Sequence, residues 1–273
     1  MNSLKDWIIS FIVSTIKTFD NNVNKSVGVL TEDIFTGDMY NMAKSISDII
    51  IPIALTIITI CFLIEFLKLT IKMDVLKWEY LLRVFFKFVF AKVCIDVSYS
   101  LLSTIYATAS EWITKVGSST STLGNTIATT LESELKKLSA FEVLGVGISM
   151  LFVFIASWVI SILIMVIAYA RSFELLAMLS VSPLPCAFLP VEDGPSSRIP
   201  KKFFLSFAAV SLQGLFIIIS IKLYSALCSN TILTNISSAN ITEIGYNLLL
   251  GALVLIMAVI KSGSWAKSIL DAM

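Results

Sequence analysis

Arg83, Lys87, Lys92 and Asp96 lie at close spacing inside an otherwise apolar stretch from about Glu79 to Ala107. Ionisable side chains inside a membrane are costly, so such groups are candidates for a polar pathway or a subunit contact. At about 100° per residue, Arg83 and Lys87 share one helical face and Lys92 and Asp96 roughly the opposite one. Arg83 and Lys87 are close enough to one end to snorkel. Lys92 is deeper, and a pair with Asp96 one turn on would partly cancel both charges, facing either the bundle or a neighbouring subunit. Lys222 is a second deep cation, in another apolar run. The chain has no histidine, which removes His-based triads, relays and metal sites. Cys61, Cys94, Cys186 and Cys228 are widely spaced, without a metal-ligand pattern. They read as buried free thiols, with a disulfide framework the lesser alternative. No phosphate loop, paired-carboxylate site or nucleophile elbow is present, so no catalytic residue, metal or cofactor is expected.

The elements that must position these groups follow from composition. Of 273 residues, 57% are hydrophobic and 14% charged, and mean hydropathy is +0.90. Soluble domains run at about 45–50% apolar and about 25% charged, and a helix crossing the bilayer needs about 20 apolar residues. An all-α, polytopic helical membrane protein is expected, with about five transmembrane helices, an N-terminal amphipathic helix and a Pro-broken short helix. The expected spans are Ile49–Leu69, Glu79–Ala107, Val143–Ala170, Phe203–Leu227 and Ile244–Ile260. Ser47 and Asp48 would cap the first, placing Pro52 near its start. Leu4, Ile8, Phe11, Ile12 and Ile16 share one face of the N-terminal helix, which has no signal-peptide cleavage pattern. Ile127, Leu131, Leu135 and Leu138 mark a second amphipathic helix after the polar stretch Ser118–Thr122. It serves either as a docking surface or as a helix lying back on its own bundle.

Five of the six prolines fall between Pro183 and Pro200. No continuous helix can pass through them, and Phe173–Val181 alone is too short to cross, so a short helix that turns back or presses on the bundle is expected there. Arg171 and Glu174 read as a pair finishing the preceding helix. If Phe173–Leu189 does not cross, Lys68, Lys72, Lys77, Arg171, the basic cluster Arg198, Lys201 and Lys202, and Lys261 and Lys267 share one side. The opposite loop, Ser229–Glu243, has no Lys or Arg. The excess of Lys and Arg marks the cytoplasmic side, so the N-terminus is expected outside and the C-terminus inside. The organisation reads as residues 1–45, an exterior interfacial segment; 46–109, a transmembrane hairpin; 110–142, an exterior loop; 143–260, a transmembrane core with the cytoplasmic loop 171–202; and 261–273, a cytoplasmic tail. Asn235-Ile-Ser237 and Asn240-Ile-Thr242 match glycosylation sequons, which would carry no meaning were the protein bacterial.

The run Ala170-Arg171-Ser-Phe-Glu174 through Val181-Ser-Pro183-Leu-Pro185, and then Lys202-Phe-Phe through Leu212-Gln213-Gly214, resembles the TrbL-like polytopic membrane subunits of conjugative type IV secretion systems, particularly short forms from Gram-positive mobile elements. The resemblance implies a channel or scaffold subunit in the bacterial cytoplasmic membrane, supporting transfer of DNA and protein and not itself an enzyme. It implies a homo-oligomer in the lipid bilayer that works with ATPases and exterior channel proteins, in transient contact with the transferred DNA. Pro183, Pro185, Gln213 and Gly214 match the family pattern and would shape the turn and its packing partner. The competing reading is a stand-alone transporter or channel whose broken helix and intramembrane charges bind a small solute or ion.

Overall fold

Ser139 opens the longest helix with a reciprocal cap. Its hydroxyl accepts from the Glu142 amide (3.4 Å), while its own amide and hydroxyl both donate to the Glu142 carboxylate at 2.8 Å. From there α5 runs Ala140–Ser180, 41 residues or about 60 Å. The remaining helices are α1 (Asn2–Thr31), α2 (Asp38–Ile71), α3 (Trp78–Gly117), α4 (Leu123–Lys137), α6 (Pro183–Cys186), α7 (Ile199–Thr231) and α8 (Ile241–Asp271), with a 3-10 turn at Pro195–Arg198. This computed structural model describes residues 2–32, 34, 37–71, 78–117, 123–191, 194–231 and 241–271, and among them every regular element is helical. Lys72, Lys77, Ser118–Thr122, Asn235 and Asn240 lie outside the described residues.

Among the described residues, four helices are long and apolar enough to cross a membrane: Asp38–Lys68, Ala140–Ser180, Pro195–Ser229 and Ile241–Leu270. The chain is an all-α, polytopic membrane protein. The fifth expected span corresponds to α3, the helix that carries Arg83, Lys87, Lys92 and Asp96, and it is not among the four. Several boundaries differ from expectation: α3 runs on to Gly117, ten residues past Ala107, and α8 to Asp271, eleven past Ile260. The first span starts at Asp38, eleven residues before Ile49, so Ser47 and Asp48 are interior and Pro52 lies mid-helix. There its ring leaves the Asp48 carbonyl without the usual donor. The piece Phe173–Val181 is no separate short helix either. No proline lies between Ala140 and Pro183, so α5 continues through it to Ser180.

The contacts divide into two units. The first comprises Met1–Glu32, Trp112–Ala170 and Gln213–Trp265; the second comprises Asp33–Glu111, Arg171–Leu212 and Ala266–Met273. In the first, α1 and α4 pack together. Ile9, Ile12 and Val13 of α1 meet Ile127, Ala128, Leu131 and Leu135 of α4, with Val143 and Phe154 of α5 and Ile241 and Ile244 of α8. Val23, Val27 and Leu30 continue the core against Ile160, Ile164, Ile217, Leu255 and Val259. The pairing of α1 with α4 is antiparallel and is fixed at both ends. Lys5 Nζ donates to the Lys136 and Leu138 carbonyls (2.9 and 2.6 Å) at the α4 C-terminus, and Asp20 accepts from the Gly124 amide at its N-terminus. A cation at the C-terminal end and a carboxylate at the N-terminal end both complement the helix dipole.

Candidate functional site

The second unit contains the Pro-broken segment. After Ser180 the chain folds into consecutive turns. Val181 donates to Ala177, Ser182 to Leu179, Leu184 to Val181, Ala187 to Leu184, Phe188 to Pro185 and Leu189 to Cys186, at 3.1–3.3 Å. These local bonds let non-helical backbone sit inside a membrane protein without bare amides. Pro183 and Pro185 are buried in α6 and supply no donor that would need a partner. Cys186 and Ala187, both 0% exposed, pack on Ala54 and Ile58 of α2 and on Ala91 and Ile95 of α3. The buried Ser182 hydroxyl donates to the Ser98 hydroxyl of α3 at 3.3 Å. Cys94 of α3 and Cys186 meet with their sulfurs 3.2 Å apart, while all four cysteines remain free thiols.

Arg171 departs from its expected role. Glu174 is exposed, whereas Arg171 is only 3% exposed and turns to α7. Its Nε donates to the Val210 carbonyl at 3.1 Å and its Nη2 to the Ser211 carbonyl at 3.0 Å. Its guanidinium carbon lies 6.0 Å from the centre of the buried Tyr106 ring, within cation–π range. Leu102, Tyr106, Leu175, Leu179, Phe207 and Val210 close around this fork. Arginine suits the place because its planar donors reach two successive carbonyls, which a lysine cannot do.

The other predicted residues are dispersed. Lys92 and Asp96 are both exposed on α3 among exposed Phe90, Val93 and Val97, and they form no ion pair with each other or with any other described residue. The expected intrahelical pair is therefore not made. Arg83 is exposed and Lys87 half-buried, one turn apart on the same helix. Arg198, Lys201 and Lys202 are exposed around the start of α7. Further along α7, Gly214 is buried, Gln213 packs against Gly263 of α8, and Lys222 is half-buried. The four residues of the turn motif thus fall into two places, Pro183 and Pro185 in α6 and Gln213 and Gly214 on α7. A cavity of about 420 Å³ between α7 and α8 is lined by Phe216, Leu223, Leu250, Val254 and Trp265, and no acid or base lines it. Among the described residues no cluster of metal-ligating side chains occurs.

Outside the spans, burial raises the Asp20 carboxyl above its ordinary value, against the lowering effect of the Gly124 amide and Asn24. On the exposed face of α4, Lys136 hydrogen-bonds Glu132 at 2.6 Å and draws that carboxyl downward.

The family model for TrbL/VirB6 plasmid conjugal transfer like protein matches residues 16–183. The chain belongs to this family. Membership makes it a membrane subunit of conjugal transfer, a type IV secretion component. The matched region begins within α1 and ends at Pro183, so it takes in Arg171 and the start of α6, while Gln213 and Gly214 lie beyond it. Neither the curated proteins nor the solved structures contain a match to the chain. In this family member the fork from Arg171 to α7 escaped sequence reading because Glu174 offered an ordinary partner. The signal for it was the absence of proline or glycine between Arg171 and Ser182, which continues the helix and leaves Arg171 in its interior.

Proposed function

We propose that this TrbL/VirB6-like chain is a non-enzymatic scaffold or channel-wall subunit of a conjugative type IV secretion system, supporting passage of DNA and protein across the cytoplasmic membrane. It takes α3 as a fifth span, holds its N-terminus outside and its C-terminus and the Arg198, Lys201 and Lys202 cluster in the cytoplasm, and assembles with further copies, ATPases and exterior channel proteins. The observation that carries this reading is the pair Lys92 and Asp96, exposed and without an ion-pair partner among the described residues on the apolar surface of α3. Charges in a bilayer demand a protein or water environment, and these two point away from their own chain. That favours contact with other subunits over an internal solute site. The Pro-broken segment supports the same reading, because the turns from Val181 to Leu189 bond locally and Pro183 and Pro185 are packed away. A segment of this kind braces a bundle.

The test is complementation of a deletion strain with Lys92→Met, Asp96→Asn and the double variant, scored for conjugal transfer and for co-purification of the other secretion subunits. Loss of both transfer and co-purification at normal chain abundance is expected. Unchanged transfer and co-purification would sink the role given to this pair, and solute uptake by vesicles holding the chain alone would replace the scaffold with a transporter. Single cysteines at Ser196, Ser237 and Ala272 in a Cys-free background, probed on intact cells with an impermeant thiol reagent, test the topology. Labelling of Ser237 alone is the expected pattern.

A further inference from the structure

We propose that Cys94 and Cys186 form a dithiol that closes to a disulfide, fastening the Pro-broken segment to α3. The Cys94 thiol donates to the Cys186 sulfur across 3.2 Å, and bonding distance of about 2.05 Å lies roughly 1 Å closer. The two sulfurs are held in place from both sides. Ala91 and Ile95 flank Cys94 on α3 at 0% and 1% exposure, Ala187 beside Cys186 is 0% exposed in the same apolar cluster, and the bond from Ser182 to Ser98 ties the start of α6 one turn further along α3. Neither Cys61 nor Cys228 has another sulfur within hydrogen-bonding reach among the described residues, so both are internal controls.

The exposures set the order of reaction. Cys94 is half-buried while Cys186 is 0% exposed, so Cys94 meets the oxidant and Cys186 resolves the product. Cys94 gives up its proton and its thiolate attacks one sulfur of an organic disulfide. A bond forms between Cys94 and that sulfur, the reagent's S–S bond breaks, and the first thiolate leaves, taking up a proton. The Cys186 thiolate then attacks the Cys94 sulfur, expels the second small thiol and completes the protein disulfide. Two protein thiols are oxidised and one organic disulfide is reduced to two thiols, with no other co-reactant. Exposed Phe90, Val93 and Val97 surround the approach to Cys94, so the oxidant that fits is apolar. Closure links α3 covalently to α6 and restrains the one segment where the helical path between α5 and α7 is broken.

The experiment uses the full chain, reduced, reconstituted in lipid nanodiscs and treated with the apolar reagent dithiodipyridine. The expected result is release of two thiopyridones from this pair, a mass two hydrogens lower, and peptides containing Cys94 and Cys186 joined until reduced. Cys186→Ser should stop after one release and keep a pyridylthio adduct on Cys94. Three outcomes overturn the proposal: wild type arrested at the adduct, Cys186 joined to a different cysteine, or no reaction of the pair in nanodiscs while all four thiols react in denaturing detergent. Peptide mapping of the wild type decides the matter even if a serine variant fails to fold.

Discussion

Replacing Gly124 with alanine places a methyl group against α1. The added Cβ would lie 2.3 Å from Asp20 Cβ, 2.4 Å from its Cγ and 2.7 Å from its Oδ2. Asp20 Cβ is anchored to the α1 backbone and cannot swing clear, so the helices must part by about 1 Å at this end. Overpacking of this kind costs about 1–3 kcal/mol. The displacement also lengthens the bond from the Gly124 amide to Asp20 and loosens Ile127 and Ala128, which are 2% and 0% exposed. Taken at about 2 kcal/mol, the loss corresponds to roughly 30-fold in an opening equilibrium. Amide hydrogen exchange in nanodiscs reads it directly, and amides from Ile127 to Leu135 should exchange about 30-fold faster. Helix propensity alone gives the opposite sign, because alanine is favoured over glycine by up to about 1 kcal/mol within a helix. Slower or unchanged exchange in α4 would therefore refute the close approach. Gly28→Ala is the control, since a Cβ there meets nothing within 4 Å.

The raised Asp20 carboxyl makes the docking of α1 on α4 pH-dependent. An acid whose folded value lies above its unfolded 3.8 binds more protons when folded, so stability falls as pH rises from that value to the folded one and is flat beyond it. Asp20→Asn should remove this slope from α4 exchange measured across pH 4 to 7, and an unaltered slope would assign it elsewhere. Lys5→Met removes two charge-assisted bonds at the other end of α4, and exchange near Lys136 should rise about 5- to 30-fold, corresponding to about 1–2 kcal/mol. Arg171→Lys keeps the charge but loses the fork to Val210 and Ser211, so thermal unfolding in detergent should show a loss of about 2 kcal/mol; an unchanged midpoint would mean that the fork does not hold α5 to α7. Leu131→Ala, at a position 1% exposed, should cost about 2–5 kcal/mol by the same assay.

Helical character and membrane residence were legible because hydropathy and period act locally. The run Ile127, Leu131, Leu135 and Leu138 announces an amphipathic helix whatever covers it, and Pro183 announces the end of α5. The start of α2 was less legible. Its first turns, Asp38 to Ser47, are too polar for a hydropathy window, yet they are good enough helix formers to continue the span outward. The fork of Arg171 was hidden for another reason. A guanidinium at the end of an apolar run ordinarily reaches water or the acid one turn away, and only tertiary packing of Tyr106 and Phe207 decides that it faces α7. The meeting of Cys94 and Cys186 left no local trace, since two thiols on separate elements carry no periodicity. Lys92 and Asp96 were conspicuous as residues, but whether they joined each other depended on rotamers that spacing does not determine.

The seating of α4 on α1 also sets an order of events during synthesis. About 90 residues separate the end of α1 from the start of α4, and a ribosome adding about 5–20 residues per second needs roughly 5–20 s to deliver them. For that interval Ile9, Ile12 and Val13 have no α4 to cover them. The headgroup region of the bilayer is the shelter at hand for an amphipathic helix.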